Sequence, residues 1–300
     1  MPIPARRRIL LAAHAALLTA AVTACGRTST TPPATSAPEP GPVTRQAPPA
    51  AAAGSSLIAR LAGGQGAGAV ALLRSDDDRI VFSLTWNGFT APRSATLLGS
   101  DARPLAELFG GPLPQGARAA VGRVTVTDPA LAEKLRARPG DFAVSVAADG
   151  LPGGTLAGAV GASPNPVDPL GVIPGGTLRA LADGRQETAG GGPAARGDDD
   201  ARTTVSLSPG NGTLGYALAW VNLEPPTAAH LHRGALGRTG PVAVPLITAP
   251  LPPTLIAVSG TAEVEDTAVL RELAAAPGGF YADLHTRSFP AGAVRGQVFR

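Results

Sequence analysis

Along most of the chain after residue 55, apolar side chains fall at every second position. Ile80, Phe82, Leu84 and Trp86 alternate with Val81, Ser83 and Thr85, and Leu214, Tyr216, Leu218 and Trp220 repeat the pattern. A period of two lines one face of a strand, so both runs predict half-buried β-strands. Turn signals separate such runs: Asp76-Asp77-Asp78, the aspartates at 198–200, and Pro209-Gly210-Asn211-Gly212. Neither aspartate run has the spacing of a calcium loop. Two segments break the alternation. Asp128 can cap a helix over Pro129–Ala137, with proline at its first position and Leu131 and Leu135 on one face. Asp266 with Leu270 and Leu273 repeats the device, ended by Pro277-Gly278-Gly279. Many short strands with Gly/Pro turns and one small helix per repeat predict an all-β fold of antiparallel sandwiches.

The pattern also repeats at long range. Val126-Thr127-Asp128, Leu131, Leu135, Pro139-Gly140 and Phe142 recur as Val264-Glu265-Asp266, Val269, Leu273, Pro277-Gly278 and Phe280, a constant 138 residues later. The same offset relates Gly154 to Gly292, Gly158 to Gly296 and Val160 to Val298, while Trp86 matches Trp220 at 134. A repeat of this length is a tandem domain duplication rather than a solenoid unit. It predicts two sandwiches, residues 56–160 and 175–300, joined by a proline-rich linker at 161–174, with Trp86 and Trp220 as equivalent core residues.

Composition fixes the class. With 44% hydrophobic residues in 300, the chain is not wholly disordered, and 38 glycines and 31 prolines argue against a helical bundle. Residues 1–24 join Arg6, Arg7 and Arg8 to an apolar stretch too short to span a bilayer comfortably, the layout of a secretory signal. The segment ends Val22-Thr23-Ala24-Cys25-Gly26, which resembles a bacterial lipobox. That resemblance implies cleavage before Cys25, acylation of its sulfur with a diacylglycerol carrying palmitate-type chains, and a place on the extracytoplasmic face of the cell membrane. Cys25 is the only cysteine, so no disulfide forms within the chain. Residues 25–55, rich in Thr, Pro, Ala and Ser, read as a disordered tether. Loss of the three signal arginines lowers the 25 basic residues to 22, equal to the 22 acidic ones. A neutral mature chain gives no electrostatic case for nucleic acid.

The candidate chemistry lies in the second repeat. Ala229-His230-Leu231-His232-Arg233-Gly234 followed by Gly240-Pro241-Val242-Ala243-Val244-Pro245-Leu246, and Phe280-Tyr281-Ala282-Asp283-Leu284-His285-Thr286 followed by Gly292-Ala293-Val294-Arg295-Gly296-Gln297, resemble the two motifs of the CHRD (chordin) domain. The first repeat resembles that domain only in outline. The family is similar in fold to copper–zinc superoxide dismutase, so the resemblance implies all-β, immunoglobulin-like Greek-key sandwiches.

Beyond the signal, the three histidines are His230, His232 and His285. Residues two apart on a strand share a face, so His230 and His232 project together, as do Tyr281, Asp283 and His285, away from an apolar face of Phe280, Ala282 and Leu284. If the two strands are neighbours, three imidazoles meet in a set suited to copper or zinc, completed by water or by Asp283. By resemblance to the dismutase fold, the three histidines stand at copper-ligand places. Two readings remain open, a metal site and histidines that hydrogen-bond a loop at the surface. The equivalents in the first repeat, Thr96, Leu98 and Ala147, cannot form the cluster.

Arg233, Arg238, Arg287 and Arg295 either form a rim that draws in an anion or pair with acids such as Asp283 and Glu224. Gly234, Gly237 and Gly240 read as a flexible strand connection. The leading functional expectation is a non-catalytic binding or structural lipoprotein, whose partner is an envelope protein or an anionic small ligand. The alternative is a copper- or zinc-binding domain with dismutase-like activity on superoxide, for which Arg295, then Arg287, are the candidate residues guiding the anion.

Overall fold

The computed structural model describes residues 55–76, 78–188 and 197–300. The signal segment, Cys25 and the tether lie outside the described residues. Sixteen strands are present among those described. The first eight are β1 (Ser55–Ala62), β2 (Gly68–Asp76), β3 (Arg79–Asn87), β4 (Ser94–Gly99), β5 (Pro104–Gly110), β6 (Ala117–Thr125), β7 (Phe142–Ala147) and β8 (Thr155–Ala162). The second eight are β9 (Leu178–Asp183), β10 (Arg202–Pro209), β11 (Thr213–Val221), β12 (Ala228–Arg233), β13 (Val242–Ile247), β14 (Leu255–Glu263), β15 (Phe280–His285) and β16 (Val294–Phe299). Helix α1 (Pro129–Ala137) follows β6 and α2 (Thr267–Ala275) follows β14. The all-β expectation holds, as do both helices: Asp128 accepts from the Ala130 N–H and Asp266 from the Ala268 N–H, capping donors with no partner inside the helix.

All strand pairings are antiparallel, in one sheet ordered β13-β12-β15-β16-β9-β10-β11-β14-β6-β3-β2-β1-β8-β7-β4-β5. Replacing each strand of the second half by its counterpart in the first makes this order a palindrome. In each half the end strands approach one another, β5 beside β6 and β13 beside β14. The halves join where β6 meets β14, and the register there is itself two-fold. Val258 faces Ala120, which is its own counterpart; Ala257–Val121 and Ser259–Ala119 exchange under the 138-residue shift, as do Leu255–Gly122 and Gly260–Ala117. The bulged residues, Ile256 and Arg118, are also 138 apart.

Local packing repeats as well. Phe82 sits across from Gly122 and Tyr216 across from Gly260, and each ring lies so close over its glycine that a Cβ there would collide with it. Trp86 and Trp220 are both buried. The inward faces bury leucine, valine and phenylalanine, among them Leu73, Phe82, Leu97 and Leu135 in the first half and Val205, Leu218, Leu231 and Leu273 in the second. Such burial is the main favourable term in folding.

Two expectations from alternation need correction. Val81 and Ser83, read as the outer face of β3, are buried. The linker is the reason: it docks, with Ser163 N–H donating to the Ser56 carbonyl and Val167 N–H to Ser56 Oγ. Its 3-10 turn at Pro169–Val172 then lies against β2, β3 and β6. On β15 both faces are buried, since loops cover the side read as polar.

Candidate functional site

Strands β12 and β15 are hydrogen-bonded neighbours, with His230 opposite Asp283, His232 opposite Tyr281 and Ala228 opposite His285. This register brings the three histidines together, as the sequence pattern expects for adjacent strands. His230 Nδ1 lies 3.1 Å from His285 Nε2, and the ring centroids are 4.9 Å apart. Asp283 sits at the centre: Oδ1 is 3.5 Å from His230 Nδ1 and 3.4 Å from His285 Nε2, while Oδ2 is 3.1 Å from His232 Nε2. One ligating atom each from His230, His232 and Asp283 falls within a 4.8 Å group.

Loops fix the outer nitrogens. His232 Nδ1 is 2.9 Å from the Gly240 carbonyl and His285 Nδ1 is 3.0 Å from that of Pro290. A carbonyl only accepts, so each of these Nδ1 atoms carries a proton, and each Nε2 is turned towards the Asp283 carboxylate. The loop-bonding reading and the ligand-cluster reading thus describe opposite nitrogens of the same rings. Gly240 cannot be replaced freely, because a Cβ on it would run into the Arg233 carbonyl. The glycine read as part of a flexible connection is a close-packing point.

A layered stack supports His232. The Tyr281 ring lies parallel to it, with centroids 4.8 Å apart and planes 9° off, and the Arg295 guanidinium covers the other face of Tyr281 at 3.5 Å. Arg295 is only 2% exposed, and it donates to Thr188 Oγ1 and to the Arg238 carbonyl. Its charge is therefore under the ring rather than on an open approach to the histidines. Arg233 pairs with Glu272 rather than with Asp283 or Glu224, and Arg238 and Arg287 are exposed. The Glu224 carboxylate instead accepts from the Ser288 N–H. Gln297 Nε2 reaches the carbonyls of Gly234, Gly278 and Phe280, tying the loop after β12 to the start of β15. Sequence reasoning missed Tyr281, Thr188 and Gln297 as supports. A signal for two of them was present, since Tyr281 and Gln297 fall within the quoted motifs.

The electrostatics centre on Asp283, which is 6% exposed. Burial alone would push its carboxyl up, but the three imidazoles overcome this and hold it well below the usual carboxylate range. Burial would likewise lower His232, and the Asp283 carboxylate reverses the sign, leaving its value raised. His285 is raised chiefly by its contact with Asp283. His232 Nε2 and Asp283 Oδ1 are nevertheless buried without a well-formed hydrogen bond. In the first half the same register sets Thr96 opposite Ser145 and Ser94 opposite Ala147, so the frame is present without the histidines and the aspartate. A surface groove of about 410 Å³ is lined by Leu170, Leu181, Trp220 and Val221 among others, and no residue of the cluster lines it.

Comparison with known proteins bears on this half alone. The family model described as the CHRD domain matches residues 178–298, a span that holds every residue of the cluster. No curated protein matches the chain.

Proposed function

We propose that this chain is a lipoprotein acylated at Cys25 and held at the extracytoplasmic face of the cell membrane, with a non-catalytic binding or structural role. In this reading two tandem Greek-key sandwiches stand on a tether, and the second carries the binding site. The palindromic strand order, the meeting of end strands within each half and the paired ring-on-glycine contacts support the duplication. One observation carries the assignment of roles: the polar cluster of His230, His232, Asp283 and His285 is built in the half matched by the CHRD model and missing at Thr96, Leu98, Ser145 and Ala147. The first half is then a scaffold. The partner is an envelope protein or a small anionic ligand, and Arg238 and Arg287 are the exposed cations nearest in sequence to the site. Two measurements test this. A palmitate analogue should label the wild type and not Cys25→Ser. Membrane pull-downs should recover a partner that is lost when His230, His232 and His285 are replaced by alanine; equal recovery with both would remove the site from the role.

A second reading has a specific observation in its favour. His230, His232 and His285 can hold a copper or zinc ion, because one nitrogen of each lies against the Asp283 carboxylate and His230, His232 and Asp283 each offer a ligand atom within 4.8 Å of one another. The carbonyls of Gly240 and Pro290 supply the outer hydrogen bonds that orient ligating histidines. A bound ion would supply Lewis acidity or, as copper, one-electron chemistry. The chain's own residues orient the rings and restrict water around Asp283. The burial of Arg295 gives no support to a role in guiding superoxide.

A further inference from the structure

We propose that the loop of residues 234–241 is a second, shallow contact with the membrane, in which Leu236 enters the headgroup layer and Arg238 and Arg287 meet anionic headgroups. This rests on the acyl anchor of the lipoprotein reading above. The two halves of the chain differ at this loop. From Ser94 to Ala228, the starts of β4 and β12, the offset is 134 residues; from Pro104 to Val242, the starts of β5 and β13, it is 138. Four residues are therefore added between β12 and β13, where a connection of residues 100–103 in the first half becomes 234–241 in the second. The longer loop belongs to the half that carries the histidine–aspartate cluster, and its Gly240 carbonyl is the one that meets His232 Nδ1.

The longer loop displays an apolar side chain. The short connection reads Ser100-Asp101-Ala102-Arg103, whereas the long one begins Gly234-Ala235-Leu236-Gly237-Arg238. Leu236 is 73% exposed, more than any other large hydrophobic residue among those described. Its backbone is held: the Arg238 N–H donates to the Ala235 carbonyl, closing a tight turn with Gly237 at φ 72°. At the base of the loop, Gly234 N–H donates to the Gly279 carbonyl and Arg233 N–H to that of Pro241, while buried Arg295 donates to the Arg238 carbonyl. Val242, where β13 begins, is a second exposed apolar side chain. Charge favours the same partner. Exposed Arg238 lies two residues from Leu236, and the loop 234–241 contains no acid. Exposed Arg287 stands where the first half has Asp149, with Glu224 as the acid beside it. An exposed leucine among arginines suits a bilayer interface, since the leucine leaves water while each guanidinium stays at phosphate level. So small a patch would not hold a protein from solution, but acyl chains in the same bilayer keep it at high effective concentration. The contact would set how the cluster is oriented to the membrane.

Acylation consumes Cys25, the one cysteine, so a cysteine placed elsewhere takes a nitroxide label alone. The acylated full chain carrying Thr239→Cys or Ser100→Cys, both exposed positions, tests the contact in vesicles of phosphatidylcholine and phosphatidylglycerol. The label at 239 should be shielded from a water-soluble nickel relaxant severalfold more than the label at 100. Leu236→Ser with Arg238→Ser should return it to the accessibility of position 100, and Arg238→Ser alone should weaken the contact about fivefold. Equal accessibility at 239 and 100 would overturn the inference, leave Leu236 to a protein partner and leave the anchor untouched. Shielding that survives Leu236→Ser with Arg238→Ser would overturn it as well. A wild-type chain that does not stay with the vesicles would remove the anchor reading, and this inference with it.

Discussion

Tyr216 is the second-half counterpart of Phe82, and its hydroxyl has nothing to bond. Both rings lie over a cross-strand glycine, but Tyr216 Oη is buried without a partner, and burial pushes its ionisation up to about 12. Tyr216→Phe should therefore stabilise the protein by about 1 kcal/mol, the order of cost of burying an unpaired hydroxyl, read as a higher midpoint in urea. The sign with pH follows from linkage. The native group holds its proton where the unfolded one, near 10, has lost it, so wild-type stability is fully present below pH 10 and falls as pH rises towards 12. Two pH units correspond to about 3 kcal/mol. Melts at pH 8 and pH 11 should show the gap between wild type and Tyr216→Phe widening; a constant gap would mean the phenol is not buried in solution. Trp86→Ala and Trp220→Ala should each cost roughly 3–5 kcal/mol in the same assay. The tryptophans were legible because period two and the repeat both marked them. The glycines beneath Phe82 and Tyr216 were not, since alternation names the inward face but not the residue opposite.

Each helix is short, and its first turn depends on one aspartate. Asp128→Ala and Asp266→Ala should each lower stability by about 1 kcal/mol, and the two losses should add, because the caps belong to different halves. A double variant that melts well below the sum would reveal coupling between the halves. Among strands, the free edges and the joined edges are built differently. β5 begins with Pro104 and β13 contains Pro245, and both pair irregularly with their neighbours, devices that discourage further strand addition. The joined edges β6 and β14 contain no proline. The prolines were legible as letters, but not as edge guards, because edge position is a property of the assembled sheet. The candidate site divides in the same way: strand periodicity put His230 with His232 and Asp283 with His285, whereas the neighbourhood of β12 and β15 remained a condition until the register was seen.

At the scale of the molecule, the repeat at a 138-residue offset was legible in the sequence, and the way its two halves meet was not. Sequence similarity states which residues correspond; it does not state which surfaces touch. The symmetric β6–β14 register resembles the self-complementary contact of a two-fold dimer, here made within one chain. Residues 175–300 produced alone would bare β14 and should sediment as a dimer through it. A proline at Val258, on the local axis, should make that fragment monomeric, and a fragment already monomeric without the proline would argue that the junction is weak. In the whole chain the docked linker keeps the two edges together, so their pairing is a first-order event set by effective concentration. A free dimer dissociates on dilution and its melting depends on how much protein is present; the joined pair should hold at any abundance. A sparsely expressed protein would gain most from that arrangement, keeping both halves together with the histidine–aspartate cluster in only one of them.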